Sequence, residues 1–213
     1  MSTALTLDPN GYLASLTDPA GNTTGFTYTS TGLLTTMTTP RNHLYQFTYD
    51  VLGRLTRDDD PAGGSQALAR TASGTSVTTT RTTALSRTNT YLVEPLPTGG
   101  TRRVDTDPSG LPTELRIGSD GRSTSTTPDG TVTTLTQGPD PRWGMQAPLP
   151  ASLTLTTPGG LTSTLTTTRT VTLSDPNNLL SLTSLTDTVS LNGRAWASTF
   201  TGASRTLTTT SPA

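Results

Sequence analysis

Shifted by 21 residues, the N-terminal part of this chain superposes on itself twice. Gly11 falls on Gly32 and Gly53, Leu13 on Leu34 and Leu55, and Pro19 on Pro40 and Pro61, with Asp18, Thr39 and Asp60 standing before the prolines. Phe26 and Tyr28 fall on Phe47 and Tyr49, but the third copy has Leu68 and Arg70 at those places, so the pattern is decaying there. A short fixed period means that one small unit is copied, and that each copy needs its neighbours to cover its apolar face.

Each unit reads as strand, turn, strand, turn. Phe26-Thr27-Tyr28 and Phe47-Thr48-Tyr49 alternate with period two, which turns both rings of a pair to one side of a sheet. Asp18-Pro19-Ala20-Gly21 and Asp60-Pro61-Ala62-Gly63 have Pro and Gly at the places a β-turn favours. Gly53 suits a backbone position of positive φ. Two turns per unit leave strands of about six residues, the ordinary length. Farther along, Asp107-Pro108-Ser109-Gly110, Thr127-Pro128-Asp129-Gly130 and Thr157-Pro158-Gly159-Gly160 keep the turn punctuation while the aromatics are lost, and Leu153, Leu155, Leu161 and Leu165 supply strand patterning. Phe200, Arg205 and Pro212 align with Tyr49, Arg54 and Pro61 at one offset, with Ser204 in the glycine place. The chain stops just before the turn glycine expected next, so the sequence predicts a fragment of a longer array, with strand edges that favour association when it is made alone.

Composition supports strands over helices or disorder. About a quarter of the residues are Thr, whose β-branch favours extended backbone. Charged residues are only 14% and the net charge is −1, whereas disordered chains combine low hydrophobicity with high net charge. All 14 basic residues are scattered arginines, which gives no electrostatic footprint for nucleic acid or an anionic membrane. The lack of Cys excludes disulfides and thiolate metal sites. No run approaches the ~20 apolar residues of a spanning helix, and Met1 to Asp8 lacks the charged and apolar regions of an export signal.

The segment Tyr49-Asp50-Val51-Leu52-Gly53-Arg54-Leu55, ahead of Asp60-Pro61-Ala62-Gly63, resembles the YD repeat of the RHS family. That family takes in bacterial RHS polymorphic toxins, the shell subunits of insecticidal toxin complexes and the animal teneurins. The resemblance is strong over residues 8–66 and weaker over 107–130 and 198–213. Thr29 departs from it by replacing Asp in the preceding copy, as do Thr201 and Ser204 near the end. The resemblance implies a long β-strip that winds into a hollow shell around a C-terminal toxic or effector domain.

Candidate sites have ordinary structural explanations beside them. His43, the lone histidine, follows Pro40-Arg41-Asn42 and reads as a solvated turn residue more readily than as a general base. Asp58-Asp59-Asp60 offers carboxylates to a hard cation, but neighbours on a strand point to opposite faces, and a charged turn or edge guard explains the run. Asp105 and Asp107 have the spacing of residues sharing a strand face, as a pair of glycosidase acids would, yet Asp107 reads as the turn residue before Pro108. Tyr28 and Tyr49, at one repeat spacing, read as an inter-strand stack. Trp143 lies in the irregular Gly138-Pro139-Asp140-Pro141-Arg142-Trp143-Gly144 and is a better ligand candidate than Trp196. Asn22-Thr23-Thr24 fits a glycosylation acceptor that abundant Thr produces by chance.

The sequence therefore predicts an all-β fold of antiparallel hairpin repeats forming a long curled sheet, part of an RHS-like β-shell. Regular YD-type repeats are expected at 1–66, degenerate repeats with irregular loops at 67–148, and a truncated Thr-rich array at 149–213. The expected role is structural, with no catalytic, cofactor or metal residues, in a secreted or cell-surface bacterial protein. Its expected partners are the rest of its own chain and an enclosed toxin or effector domain. A surface adhesin or carbohydrate-binding array, with a cell-surface glycan as partner, is the alternative.

Overall fold

Thr and Leu in alternation favour extended backbone. In the computed structural model, which describes residues 2–212, every regular element is a β-strand. Eighteen strands form one antiparallel sheet, with no helix among the described residues. The chain divides into two compact units, Met1–Leu92 with Thr106–Gly110, and Val93–Asp105 with Leu111–Ala213.

The first unit holds β1 (Ala4–Leu7), β2 (Leu13–Thr17), β3 (Thr23–Tyr28), β4 (Leu34–Thr38), β5 (Leu44–Tyr49), β6 (Leu55–Asp59), β7 (Ser65–Ser73) and β8 (Ser76–Thr83). Each pairs antiparallel with the next. The turns between β1 and β7 share one geometry. The fourth residue of each donates its N–H to the first residue's carbonyl: Gly11 to Asp8, Gly21 to Asp18, Gly32 to Thr29, Asn42 to Thr39, Gly53 to Asp50 and Gly63 to Asp60, at 2.9–3.2 Å. Those fourth residues all have positive φ, including Asn42, a residue type that tolerates this region. The first residue's side chain also caps the turn: Asp50 Oδ1 accepts the N–H of Leu52 at 2.9 Å and of Arg54 at 3.0 Å. Thr29 Oγ1 accepts the N–H of Leu33 at 3.0 Å, so the departure from Asp noted in the sequence preserves the cap.

The 21-residue register extends to irregularities. Bulges fall between Thr6 and Leu7, Thr27 and Tyr28, and Thr48 and Tyr49, setting Leu7, Tyr28 and Tyr49 opposite Leu13, Leu34 and Leu55. Cross-strand partners share a face. Phe26 opposes Met37, which opposes Tyr45, so one face carries Phe26, Tyr28, Met37, Tyr45, Phe47 and Tyr49, all half-buried by their neighbours in the sheet. The other face carries hydroxyls, paired at 2.6 Å for Thr6 and Ser15, 2.8 Å for Thr17 and Thr23, and 2.5 Å for Thr27 and Thr36.

Two further strands, β9 (Thr88–Pro95) and β10 (Thr101–Thr106), precede β11 (Pro112–Ile117), β12 (Arg122–Thr126), β13 (Val132–Asp140), β14 (Gly144–Thr156), β15 (Thr162–Leu173), β16 (Leu182–Leu191), β17 (Arg194–Thr201) and β18 (Thr206–Thr210). From β11 onward each strand again pairs with its successor. Leu135, Leu153, Leu165 and Leu191 oppose one another in a row, and the same face continues through Val171–Leu185–Phe200–Leu207 and Val189–Trp196. The turns expected at Asp107, Thr127 and Thr157 form, with Gly110, Gly130 and Gly160 at positive φ.

The C-terminal echo keeps the ladder register, Thr199 opposing Thr208 as Thr48 opposes Arg57, but loses the bulge beside the turn: Phe200 opposes Leu207, whereas Tyr49 opposes Leu55. Positive φ falls on Arg205 and not on Ser204, and pairing continues in to Thr201 and Thr206, which leaves four loop residues where the repeat turn between Tyr49 and Leu55 has five. No apolar side chain is buried among the described residues.

Candidate functional site

The third repeat loses the aromatics and the methionine of a single face, and three of the four positions become polar. Met37, Tyr45, Phe47 and Tyr49 become Asp58, Gln66, Leu68 and Arg70 at the same register positions. On β8, Thr83 opposes Gln66, Arg81 opposes Leu68 and Thr79 opposes Arg70. Two grooves open there. One, of about 490 Å³, is lined by Tyr45, Asp58, Asp60, Gln66, Arg81 and Arg87 among others. Arg81 donates from Nη2 to Asn89 Oδ1 at 3.1 Å, while its Nε is buried without a hydrogen-bond partner. The other, of about 410 Å³, runs along Leu55, Leu68 and Arg70 beside Asp50 and Arg54. Asp50 Oδ2 pairs with Arg54 at 2.7 Å. The turn N–H of Arg54 and its guanidinium together hold the Asp50 carboxyl below its ordinary range.

In the second unit one charged cluster interrupts the leucine face. Arg169 Nε and Nη2 donate to Asp187 Oδ1 and Oδ2 at 2.6 and 2.8 Å, a bidentate pair across β15 and β16. Its Nη1 donates to Asp140 Oδ2 at 3.0 Å. The Asp140 side chain is 2% exposed, and its Oδ1 accepts the N–H of Arg142 at 2.7 Å and of Trp143 at 3.1 Å. Burial pushes the Asp140 carboxyl up, but the Arg142 N–H, the Arg169 guanidinium and the Trp143 N–H outweigh it, and it titrates below its ordinary range. The two carboxylates raise the pKa of Arg169. A second network links Arg102 to Glu114 at 2.8 Å and to Glu94 at 3.2 Å, with Arg116 also on Glu114.

The residues singled out in the sequence are dispersed. His43 is exposed, and its backbone N–H donates to Thr39 Oγ1 at 3.2 Å. Asp59 forms a bidentate pair with Arg57, Asp60 Oδ1 caps its turn through Ala62 and Gly64, and only Asp58 and Asp60 face the larger groove. Among the described residues, no group of three or more His, Cys, Asp or Glu is arranged to hold a metal ion. Asp107 caps its turn through the N–H of Ser109 at 2.8 Å, and Asp105 is exposed on β10. Asn22 donates to Asp18 Oδ2 at 2.8 Å. Trp143 is 38% exposed with the Arg142 guanidinium 5.6 Å from its ring centroid, and Trp196 lies on β17 opposite Val189.

Tyr28 and Tyr49 do not stack on each other. Tyr28 meets Tyr12, with ring centroids 5.2 Å apart, and Tyr49 donates from its hydroxyl to the Leu34 carbonyl at 2.8 Å. Tyr12 was missed in the sequence, although its place after Gly11, shared by Leu33 and Arg54, was available as a signal. Arg169, Asp187 and Asp140 gave no local signal.

These features define an antiparallel β-repeat whose turns, over residues 8–64, are capped by Asp or Thr and closed by a residue of positive φ. The RHS Repeat family model matches residues 8–44 and 30–65, so this stretch of the chain carries the RHS repeat. No curated protein matches the chain. No helix among the described residues is long and apolar enough to cross a membrane.

Proposed function

We propose that this chain is a wall segment of an RHS-type shell, which encloses and delivers a toxin or effector domain lying outside it. The observation that carries this reading is that each unit is an antiparallel ladder with two unlike faces, with no buried apolar side chain among the described residues. Leu153, Leu155, Leu191 and Trp196 remain 37–40% exposed on the leucine face, and an apolar surface of this kind calls for a cover. The role is steric and needs no catalytic group. Secretion or surface display in a bacterium follows from the same reading.

The test is protease protection in the parent chain. A polypeptide downstream of this segment should resist digestion when residues 2–212 are present and be degraded when they are deleted; equal digestion would end the proposal. A second reading, a glycan-binding surface array, is favoured by the exposed Trp143 loop, which Asp140 holds in place. Glycan retention that is lost on Trp143→Ala, without change in the thermal midpoint, would favour it.

A further inference from the structure

The groove beside Arg70 has a counterpart one repeat earlier. Thr29, Leu33, Thr35, Phe47 and Tyr49 line a groove of about 350 Å³. The residues at the next repeat's equivalent positions, Asp50, Arg54, Thr56, Leu68 and Arg70, line the one of about 410 Å³. The repeated backbone thus offers a similar cradle twice, with different chemistry. The earlier copy presents hydroxyls and rings at these positions. The later one presents two guanidiniums and one carboxylate, a formal charge of +2 − 1 = +1.

That charge is unevenly used. Asp50 gives one oxygen to its own turn and the other to Arg54, so these two groups satisfy each other. Arg70 is exposed on β7, and no carboxylate pairs with it among the described residues. Leu55 and Leu68 flank it, and Thr56 and Thr79 add hydroxyls. A guanidinium recognises a planar carboxylate through parallel N–H donors, and a leucine wall takes apolar surface out of water. We infer that this groove binds a carboxylate carried on an apolar body, either a small free acid or the C-terminal carboxylate of an apolar peptide.

The experiment follows the backbone amides of the full chain by NMR during titration with benzoate, with benzamide as the uncharged twin, and with N-acetyl-Leu-Leu bearing a free or an amidated C-terminus. Saturable shifts at Leu68, Ala69, Arg70 and Thr79 are expected with benzoate or the free-acid peptide, at least tenfold weaker with benzamide and the amide. Whichever acid binds more tightly identifies the source of the carboxylate. Arg70→Gln should abolish the charge preference, Arg70→Lys should keep part of it, and Arg103→Gln should leave it intact. Equal binding of benzoate and benzamide, or undiminished preference in Arg70→Gln, would overturn the inference. Equal benzoate shifts at Phe47 and Tyr49 in the wild type would do so as well, and this measurement does not depend on any variant folding.

Discussion

Residues 8–65 and residues 132–201 solve the same problem, a sheet without a core, by different means. In the first stretch strands are five or six residues long, and every turn carries its own side-chain cap. Each hairpin is specified locally, and its register is fixed again at every bulge. In the second stretch strands run to eight to thirteen residues, and the ladder itself carries more of the stability. A long Thr/Leu alternation specifies register weakly, because a slip of two residues restores the same pattern. The Arg169–Asp187 pair breaks that degeneracy: a slip sets Arg169 opposite Leu185 or Val189 and strands both charges. Short repeats are thus fixed at their turns, and long strands by one unlike pair along their length.

The largest test of this contrast is Arg169→Ala, which leaves the nearly covered Asp140 and its neighbour Asp187 without a cation. The expected loss is about 2 kcal/mol, below the range for breaking a fully buried pair because Arg169 keeps 23% of its side chain exposed. Chemical denaturation would read it, and hydrogen exchange should show β15 and β16 loosening while β2 to β6 hold. An unchanged midpoint would mean that the ladder needs no such pin.

Gly32→Ala tests the turn-based half. Gly32 has φ +88, and an added Cβ would come within 2.7 Å of the Tyr12 hydroxyl. A loss of about 1–2 kcal/mol is expected from backbone handedness, together with displacement of Tyr12 from Tyr28. A thermal scan and the aromatic NMR signals report the two effects separately.

Acid should divide the turns by their caps. Asn22, through its side-chain amide and its backbone N–H, lowers the Asp18 carboxyl, and the N–H and guanidinium of Arg54 lower that of Asp50, both below the ordinary 3.8. A carboxyl lowered on folding contributes fully above its unfolded pKa, and the contribution is lost as pH falls through the folded value. Below about pH 4, amide exchange at Leu52 and Arg54 should therefore accelerate, whereas Leu33, capped by the hydroxyl of Thr29, should be much less affected. Parallel acceleration at all three would show that the carboxylates do not hold their turns.

The smallest effect is expected on the hydroxyl face. Thr27→Val removes the contact with Thr36 but keeps the β-branch, and the midpoint should move by no more than about 0.5 kcal/mol in either direction. A larger loss would mean that the hydroxyl pairs hold the sheet together.

Much of the fold was legible because its signals are local. Gly11, Gly32 and Gly53 mark the positive-φ places, Pro19, Pro40 and Pro61 mark turns, and the aromatic alternation marks a face; each depends on a few consecutive residues. The candidate site was legible only in part. The loss of the aromatics at Leu68 and Arg70 was visible, but not that Arg81 would stand opposite Leu68, or that Asp58 and Arg87 would share a groove with it.

The sequence alone determined the repeat unit, its strands and its turns, because backbone preference acts over three or four residues. The pairing offset decided the rest. It set Tyr12 on Tyr28 and brought Arg169 to Asp187 and Asp140, 18 and 29 positions away. It also carried the β17–β18 ladder straight through Phe200 and Leu207, without the bulge that sets Tyr49 opposite Leu55. Such contacts depend on how one strand is positioned against another, and a strand's own residues specify its conformation more tightly than its partner's alignment.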